Sequence, residues 1–160
     1  MLHQLAGTLA IFPGGRLGHM DLKPENIFFQ GDEIVLIDFN ISTSFGSVAR
    51  KRATGDVLGS PFYMSPEQVS GRELDPRSDV YSFGVTAYQL LCGDTPFKGN
   101  TPIAIAMQHL KNSPPPLKEK NPALPDVLCR LVHRMMAKRR SLRYQSGEGV
   151  LEELRKLMVA

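Results

Sequence analysis

The stretch from Pro76 to Leu91 limits what this chain can fold into more than any other. Val80, Tyr81, Phe83, Val85, Ala87, Tyr88, Leu90 and Leu91 leave hardly a polar face if the segment is helical. A helix apolar nearly all round belongs in the middle of a core, so other elements must pack around it. Gly93 suits its C-terminal end. Three further helices are predicted beyond it. Thr101-Pro102 is an N-cap and first-turn pair for a helix running to about Lys111. From Asp126 to Lys138, Val127, Leu128, Leu131, Val132, Met135 and Met136 form one apolar stripe, with Arg130, Arg134 and Lys138 opposite. The last helix, about Ser146 to Met158, is expected to bury Val150, Leu151, Leu154 and Leu157, with Gly147 and Gly149 weakening its first turn. Upstream, Leu2, Leu5, Ala6, Leu9 and Ala10 follow helical spacing within Leu2 to Phe12, and Pro13-Gly14-Gly15 then breaks the helix. Pro114-Pro115-Pro116 reads as a stiff surface connector.

A different pattern occupies residues 19–40. Ile27, Phe28 and Phe29 read as a short strand, Gln30 to Glu33 as a turn, and Ile34 to Ile37 as the returning strand. Such a hairpin brings Asn26 and Asp38 to the same end, with Asp21 and Lys23 just before it. These residue types suit phosphoryl transfer, which needs positioning and charge neutralisation more than covalent chemistry. A carboxylate such as Asp21 can orient an attacking hydroxyl and accept its proton. An ammonium such as Lys23 can sit near the transferring phosphate. Magnesium takes hard oxygen ligands and keeps several waters, so the side chains of Asn26 and Asp38 plus phosphate oxygens suffice.

The segment His19-Met20-Asp21-Leu22-Lys23-Pro24-Glu25-Asn26 resembles the catalytic loop H-R-D-L-x-x-x-N of protein kinases, with Met20 in place of the Arg. Asp38-Phe39-Asn40 resembles D-F-G, and Ser65-Pro66-Glu67 resembles A-P-E. Gly59 to Met64 is similar to the substrate-docking segment before A-P-E. Ser78-Asp79-Val80-Tyr81-Ser82-Phe83-Gly84-Val85 is similar to the central helix of the lower lobe. Lys138 to Tyr144 resembles the turn whose Arg pairs with the Glu of A-P-E. The motifs follow the family's order over nearly the whole chain, and Lys-Pro-Glu-Asn is the wording of the serine/threonine branch.

The resemblance implies an α+β fold, mostly α: a kinase-like C-terminal lobe with a small β-hairpin beside the catalytic loop, in one domain over residues 1–160. The catalytic loop is 19–26, the activation segment 38–67 and the helical core 76–158. It implies ATP-dependent phosphoryl transfer to serine or threonine hydroxyls of a protein substrate, with ATP and Mg2+ as cofactors. Asp21 and Lys23 are then catalytic; Lys23, Asn26 and Asp38 face the nucleotide; Asn26 and Asp38 hold the metal. His19, Glu67, Asp79 and Arg143 become structural, with Glu67 and Arg143 paired and His19 steadying the loop. Met20 carries neither charge nor donor, so it cannot pair with a phosphorylated activation loop as the family's Arg does. That loop carries Ser42, Thr43, Ser44, Ser47, Thr54 and Ser60 beside the basic run Arg50-Lys51-Arg52, which reads as a solvated loop or as a phosphate-binding cluster.

The sequence contains no G-x-G-x-x-G and no V-A-I-K strand, so the resemblance covers the lower lobe and not the upper one. Activity is therefore expected to require a separate N-lobe. The alternatives are an inactive lower lobe that binds protein partners, and a truncated product without function. Leu17, Ile27, Phe29, Ile37 and Phe39, near the face an upper lobe would cover, suggest self-association or a partner there. Composition points nowhere else. A net charge of +3 with 22% charged residues does not suggest nucleic acid or a membrane. The histidines lack metal-ligand spacing. The two cysteines, Cys92 and Cys129, read as reduced buried thiols, in keeping with a cytoplasmic protein.

Overall fold

The structure is a computed structural model that describes residues 2–10, 17–31, 33–38, 43–44 and 60–159. Helix α1 (Leu2–Ala10) is followed by a two-residue strand β1 (Leu17–Gly18), a 3-10 turn (Pro24–Asn26), β2 (Ile27–Gln30), β3 (Glu33–Leu36) and β4 (Thr43–Ser44). The helices α2 (Pro66–Val69), α3 (Pro76–Cys92), α4 (Pro102–Lys111), α5 (Leu117–Lys120), α6 (Asp126–Met135) and α7 (Gly147–Val159) complete the chain, with a 3-10 turn at Arg140–Leu142. The fold is α+β and mostly α.

Helix α3 is the central post. Asp75 caps it by accepting the Arg77 amide at 2.9 Å, Pro76 fills the first helical position, and Gly93 ends it in the left-handed region at φ 83. Every residue from Ser78 to Tyr88 is buried. The final turn emerges, leaving Leu90 39% exposed, so the all-round burial expected as far as Leu91 stops earlier. Helices α5, α6 and α7 pack against α3, and α1 packs on α7. Leu5, Ala6 and Leu9 of α1 share one core with Val150, Leu151 and Leu154 of α7. Each large side chain buried there contributes about 1.5–3 kcal/mol.

Helix α4 starts as its sequence requires: the Thr101 hydroxyl accepts the Ala104 amide at 3.1 Å, Pro102 follows, and the helix ends at Lys111. Other boundaries differ from the sequence reading. Helix α6 stops at Met135 rather than Lys138. Val127 is 47% exposed instead of joining the stripe, because the first turn of α6 lies at the rim and Cys129 takes the inward position. Lys138 does not lie opposite the core: its ammonium sits over the Phe97 ring at 4.5 Å and donates to the Tyr81 hydroxyl at 3.0 Å. Gly147 is a packing requirement rather than a weak point, since a Cβ there would meet Leu9 Cβ at 2.8 Å and the Leu9 carbonyl carbon at 2.9 Å. Cys129 is buried, whereas Cys92 is only partly so, and both thiols are free.

Strands β2 and β3 form an antiparallel hairpin pairing Ile27 with Leu36 and Gln30 with Glu33, so its turn is shorter than the sequence suggests. A second small ladder pairs β1 with β4. Thr43 and Ser44 thus belong to a strand within what reads as an unstructured loop. Phe12, Pro13-Gly14-Gly15, Phe39, Asn40, Ser42, Ser47, Arg50-Lys51-Arg52, Thr54 and Gly59 lie outside the described residues. Among the described residues no helix is long and apolar enough to cross a membrane.

Candidate active site

The central helix is apolar except along one stripe, and that stripe builds the site. Asp79, Ser82 and Thr86 recur at helical spacing on α3, and each bonds to backbone from another segment. Asp79 Oδ2 accepts the His19 amide and Oδ1 the Met20 amide, both at 2.8 Å. The Ser82 hydroxyl donates to the Tyr63 carbonyl at 2.8 Å, and the Thr86 hydroxyl to the Leu22 carbonyl at 3.3 Å. Burial pushes the Asp79 carboxyl up, and the two loop amides offset part of that effect. Residues 19–22 are therefore fixed to the rigid core. Met20 is held at φ 63, a region that few non-glycine residues occupy.

His19 is fully buried and spans the site from beneath. Its Nε2 lies 3.0 Å from the Ile37 carbonyl, and its Nδ1 accepts the Asp21 amide at 3.4 Å. An Nε2–H tautomer satisfies both contacts. The ring thus links the loop to the returning strand, where the Ile37 amide also donates to the Asn26 carbonyl at 3.0 Å.

Asp21, 5% exposed, is the centre of the arrangement. Lys23 Nζ approaches its Oδ2 at 2.6 Å, Asn26 Nδ2 lies 3.4 Å from the same oxygen, and the Ser60 amide donates to Oδ1 at 3.2 Å. Asn26 Nδ2 also donates to the Asp21 carbonyl at 2.9 Å. With the amide hydrogens directed at Asp21, the Asn26 Oδ1 is the atom left to ligate a cation. Asp38 follows Ile37 at the same end of the hairpin, exposed and at φ 63. An Asp tolerates this left-handed conformation better than most residues. The structure thus brings Asp21, Lys23 and Asn26 into direct contact and places Asp38 one residue beyond Ile37, whose amide bonds the Asn26 carbonyl. Phe39 and Asn40, which complete the D-F-N motif, lie outside the described residues.

Of the four residues expected to be structural, His19 and Asp79 hold the loop itself, while Glu67 and Arg143 pair apart from it. Arg143 Nη1 and Nη2 meet Glu67 Oε1 and Oε2 at 2.7 and 3.0 Å, and the Ser78 hydroxyl adds a bond at 2.8 Å. Burial pushes the Glu67 carboxyl up, but Arg143 and Ser78 outweigh it and hold it below its ordinary value. Two contributors escape the sequence reading. The Ser60 amide acts through backbone, which no side-chain motif reveals. Gln68 closes a capping box with Ser65, a bond legible in the S-x-x-Q spacing, but its second bond reaches Met20 far away in sequence.

Comparison with known proteins agrees with this geometry. The family described as "Protein kinase domain" matches residues 1–150. The chain is 40% identical to serine/threonine-protein kinase pkn2 of Myxococcus xanthus, over 96% of this chain and 20% of that protein. It is 37% identical to serine/threonine-protein kinase PknA of Mycobacterium tuberculosis, over 92% and 33% respectively. A probable serine/threonine-protein kinase of Clostridium acetobutylicum is 34% identical, over 94% and 23%. This chain belongs to the protein kinase family. It spans between a fifth and a third of the length of these relatives.

Proposed function

We propose that this chain carries the catalytic half of a serine/threonine protein kinase site. The observation that supports it is the Asp21 carboxylate, buried on a loop anchored to α3, with Lys23 Nζ at 2.6 Å. In this reading Asp21 orients the serine or threonine hydroxyl of a protein substrate and accepts its proton. Lys23 exchanges its bond to Asp21 for the transferring phosphate, where its charge offsets the charge that develops. The Tyr63 hydroxyl, donating to Gln89 at 2.6 Å, and the Ser60 amide fix the segment over which the substrate chain passes. The Asn26 amide oxygen and the Asp38 carboxylate are hard donors at one end of the hairpin and fit magnesium. Magnesium ATP, when bound, supplies the phosphoryl group and neutralises its oxygens.

The 160 residues contain no Gly-rich phosphate loop, so that part has to be supplied by residues outside this sequence or by a partner. The test is radiolabel transfer from magnesium ATP to serine and threonine peptides, with and without a separately expressed kinase upper lobe. Transfer is expected only with the upper lobe, and is lost in Asp21→Asn. Transfer that survives Asp21→Asn overturns the proposal. A second reading, a lower lobe working through protein binding alone, draws on the exposed apolar residues Phe28, Val35 and Ile37 of the hairpin. It is favoured if a partner binds that face while transfer stays absent under every condition.

A further inference from the structure

Met20 poses a problem of local energetics. A left-handed backbone is unfavourable for a residue with a Cβ. It persists where the surroundings over-determine it. The Met20 side chain is buried and apolar, so the anchoring falls to its backbone. Asp79 Oδ1 holds the amide at 2.8 Å. The carbonyl is held from the other side by Gln68, whose Nε2 donates to it at 2.8 Å.

Gln68 sits in α2, 6% exposed, and its two polar atoms do different jobs. Oε1 accepts the Ser65 amide at 2.9 Å and closes the cap of α2, while Nε2 leaves the helix for the catalytic loop. The Met20 carbonyl belongs to the peptide whose nitrogen is that of Asp21. Rotating this peptide turns the Asp21 backbone, and with it the carboxylate held by Lys23 and Ser60.

We infer that Gln68 is a positioning residue for Asp21, coupling the end of the activation segment to the reacting carboxylate through the Met20 carbonyl. The coupling uses a neutral side chain and a backbone oxygen. It therefore works without an arginine at position 20 and without a phosphate on the loop. It rests on the reading of Asp21 as the reacting carboxylate.

Gln68→Glu isolates the bond. The side chain still accepts the Ser65 amide, so the cap survives, and at a pH high enough to keep the buried carboxyl ionised it has no hydrogen to give Met20. Gln68→Met, neutral and of similar length, removes both bonds and covers the case in which a buried charge unfolds the chain. The readouts are amide hydrogen exchange at Asp21 and Leu22 in the full chain, and the split between kcat and KM with an upper lobe supplied. Loss of one ordinary hydrogen bond is expected to speed loop exchange about fivefold in both variants. It should also lower kcat about fivefold at unchanged peptide KM, whereas a merely structural loss would shift only the unfolding midpoint. Unchanged loop exchange in both variants overturns the inference. Exchange needs no catalysis, so an absence of phosphate transfer in the wild type would count against the proposed function and leave this measurement decisive.

Discussion

Two ion pairs in this molecule have similar lengths and opposite surroundings. Arg143 and Glu67 meet at 2.7 Å with side chains 0% and 3% exposed; Lys23 and Asp21 meet at 2.6 Å with side chains 22% and 4% exposed. The guanidinium spends all its hydrogens: Nε on the Ala137 carbonyl, Nη1 on Glu67 and the Arg77 carbonyl, Nη2 on Glu67 and the Lys138 carbonyl. It also lies over the Tyr81 ring at 4.8 Å. Lys23, among the described residues, reaches Asp21 and keeps donors open to solvent. A planar fork with fixed donors suits permanent cross-bracing, and a flexible ammonium suits a site where partners change. One pair locks α2 to the segment between α6 and α7. In the proposed function, the other holds a carboxylate ready without committing it.

The sharpest way to break this contrast is to remove one partner of the buried pair. Glu67→Ala and Arg143→Ala should each cost about 3–5 kcal/mol in unfolding free energy, because the remaining charge stays buried without its partner. The double variant should lose much less than the sum, which chemical denaturation of all four proteins measures. Additive losses would remove the bracing role. At the other pair the largest effect should be on rate. With an upper lobe supplied, Asp21→Asn is expected to lower phosphate transfer by about a hundredfold or more, while stability falls less than in either buried-pair variant, because the Lys23 ammonium left behind reaches water. Asp38→Ala, removing a proposed metal ligand, should reduce transfer by a similar factor, and near-full activity there would mean that the metal assignment is wrong.

How legible each pair was follows from where its partners lie. Asp21, Lys23 and Asn26 fall within one short segment, so residue type and spacing already suggest that they converge. Glu67 and Arg143 are far apart, and only the family resemblance joins them beforehand. The long helices were legible because their caps and periodicity are local: Thr101-Pro102 and Gly93 mark real ends. Helices α2 and α5 have four residues each, too few for any periodicity to register. The burial of Gly147 against Leu9, the exposure of Val127 and the placing of Lys138 over Phe97 depend on which elements meet. A single sequence does not carry that information. The same holds for the Gln68 bond to Met20.

Beside the buried pair lies a second polar group, which joins His109, outside the family motifs, to Tyr81 and Lys138. Tyr81 and His109 Nδ1 are 2.9 Å apart, with Lys138 donating to the same hydroxyl. Burial, then the Lys138 charge, lower His109 to about 3, and burial, then Arg143, lower Lys138 to about 8. Below pH 6.5 the unfolded chain takes up a proton on His109 that the folded chain refuses. Its contribution is thus fully present above pH 6.5 and is lost as pH falls toward 3, at up to about 1.4 kcal/mol per pH unit. Glu67, held below its ordinary value, acts with the same sign at the lower end of that range. Unfolding midpoints of wild type and His109→Phe between pH 7 and pH 4 separate the two. The wild type should weaken more steeply, and parallel curves would show that His109 is not kept neutral by the fold.

The smallest expected stability effect belongs to the hairpin, at the opposite extreme of burial from Arg143. Phe28 and Val35 pair across β2 and β3 and are 51% and 36% exposed, and Ile37, on the same side as Val35, is 40% exposed. Phe29, on the other side, is 60% exposed, whereas Ile27 is partly buried and Leu36 fully so. An apolar cluster of this kind marks either a partner site or an aggregation liability. Substituting Phe28→Ser and Ile37→Thr removes little buried area and should change unfolding free energy by no more than about 0.5 kcal/mol. Association should change much more. Light scattering over a concentration range is expected to show the wild type self-associating and the double variant remaining monomeric. A separately expressed upper lobe should suppress the wild-type association by covering the same face. A wild type that stays monomeric at high concentration and binds no hydrophobic dye would mean that this face needs no cover.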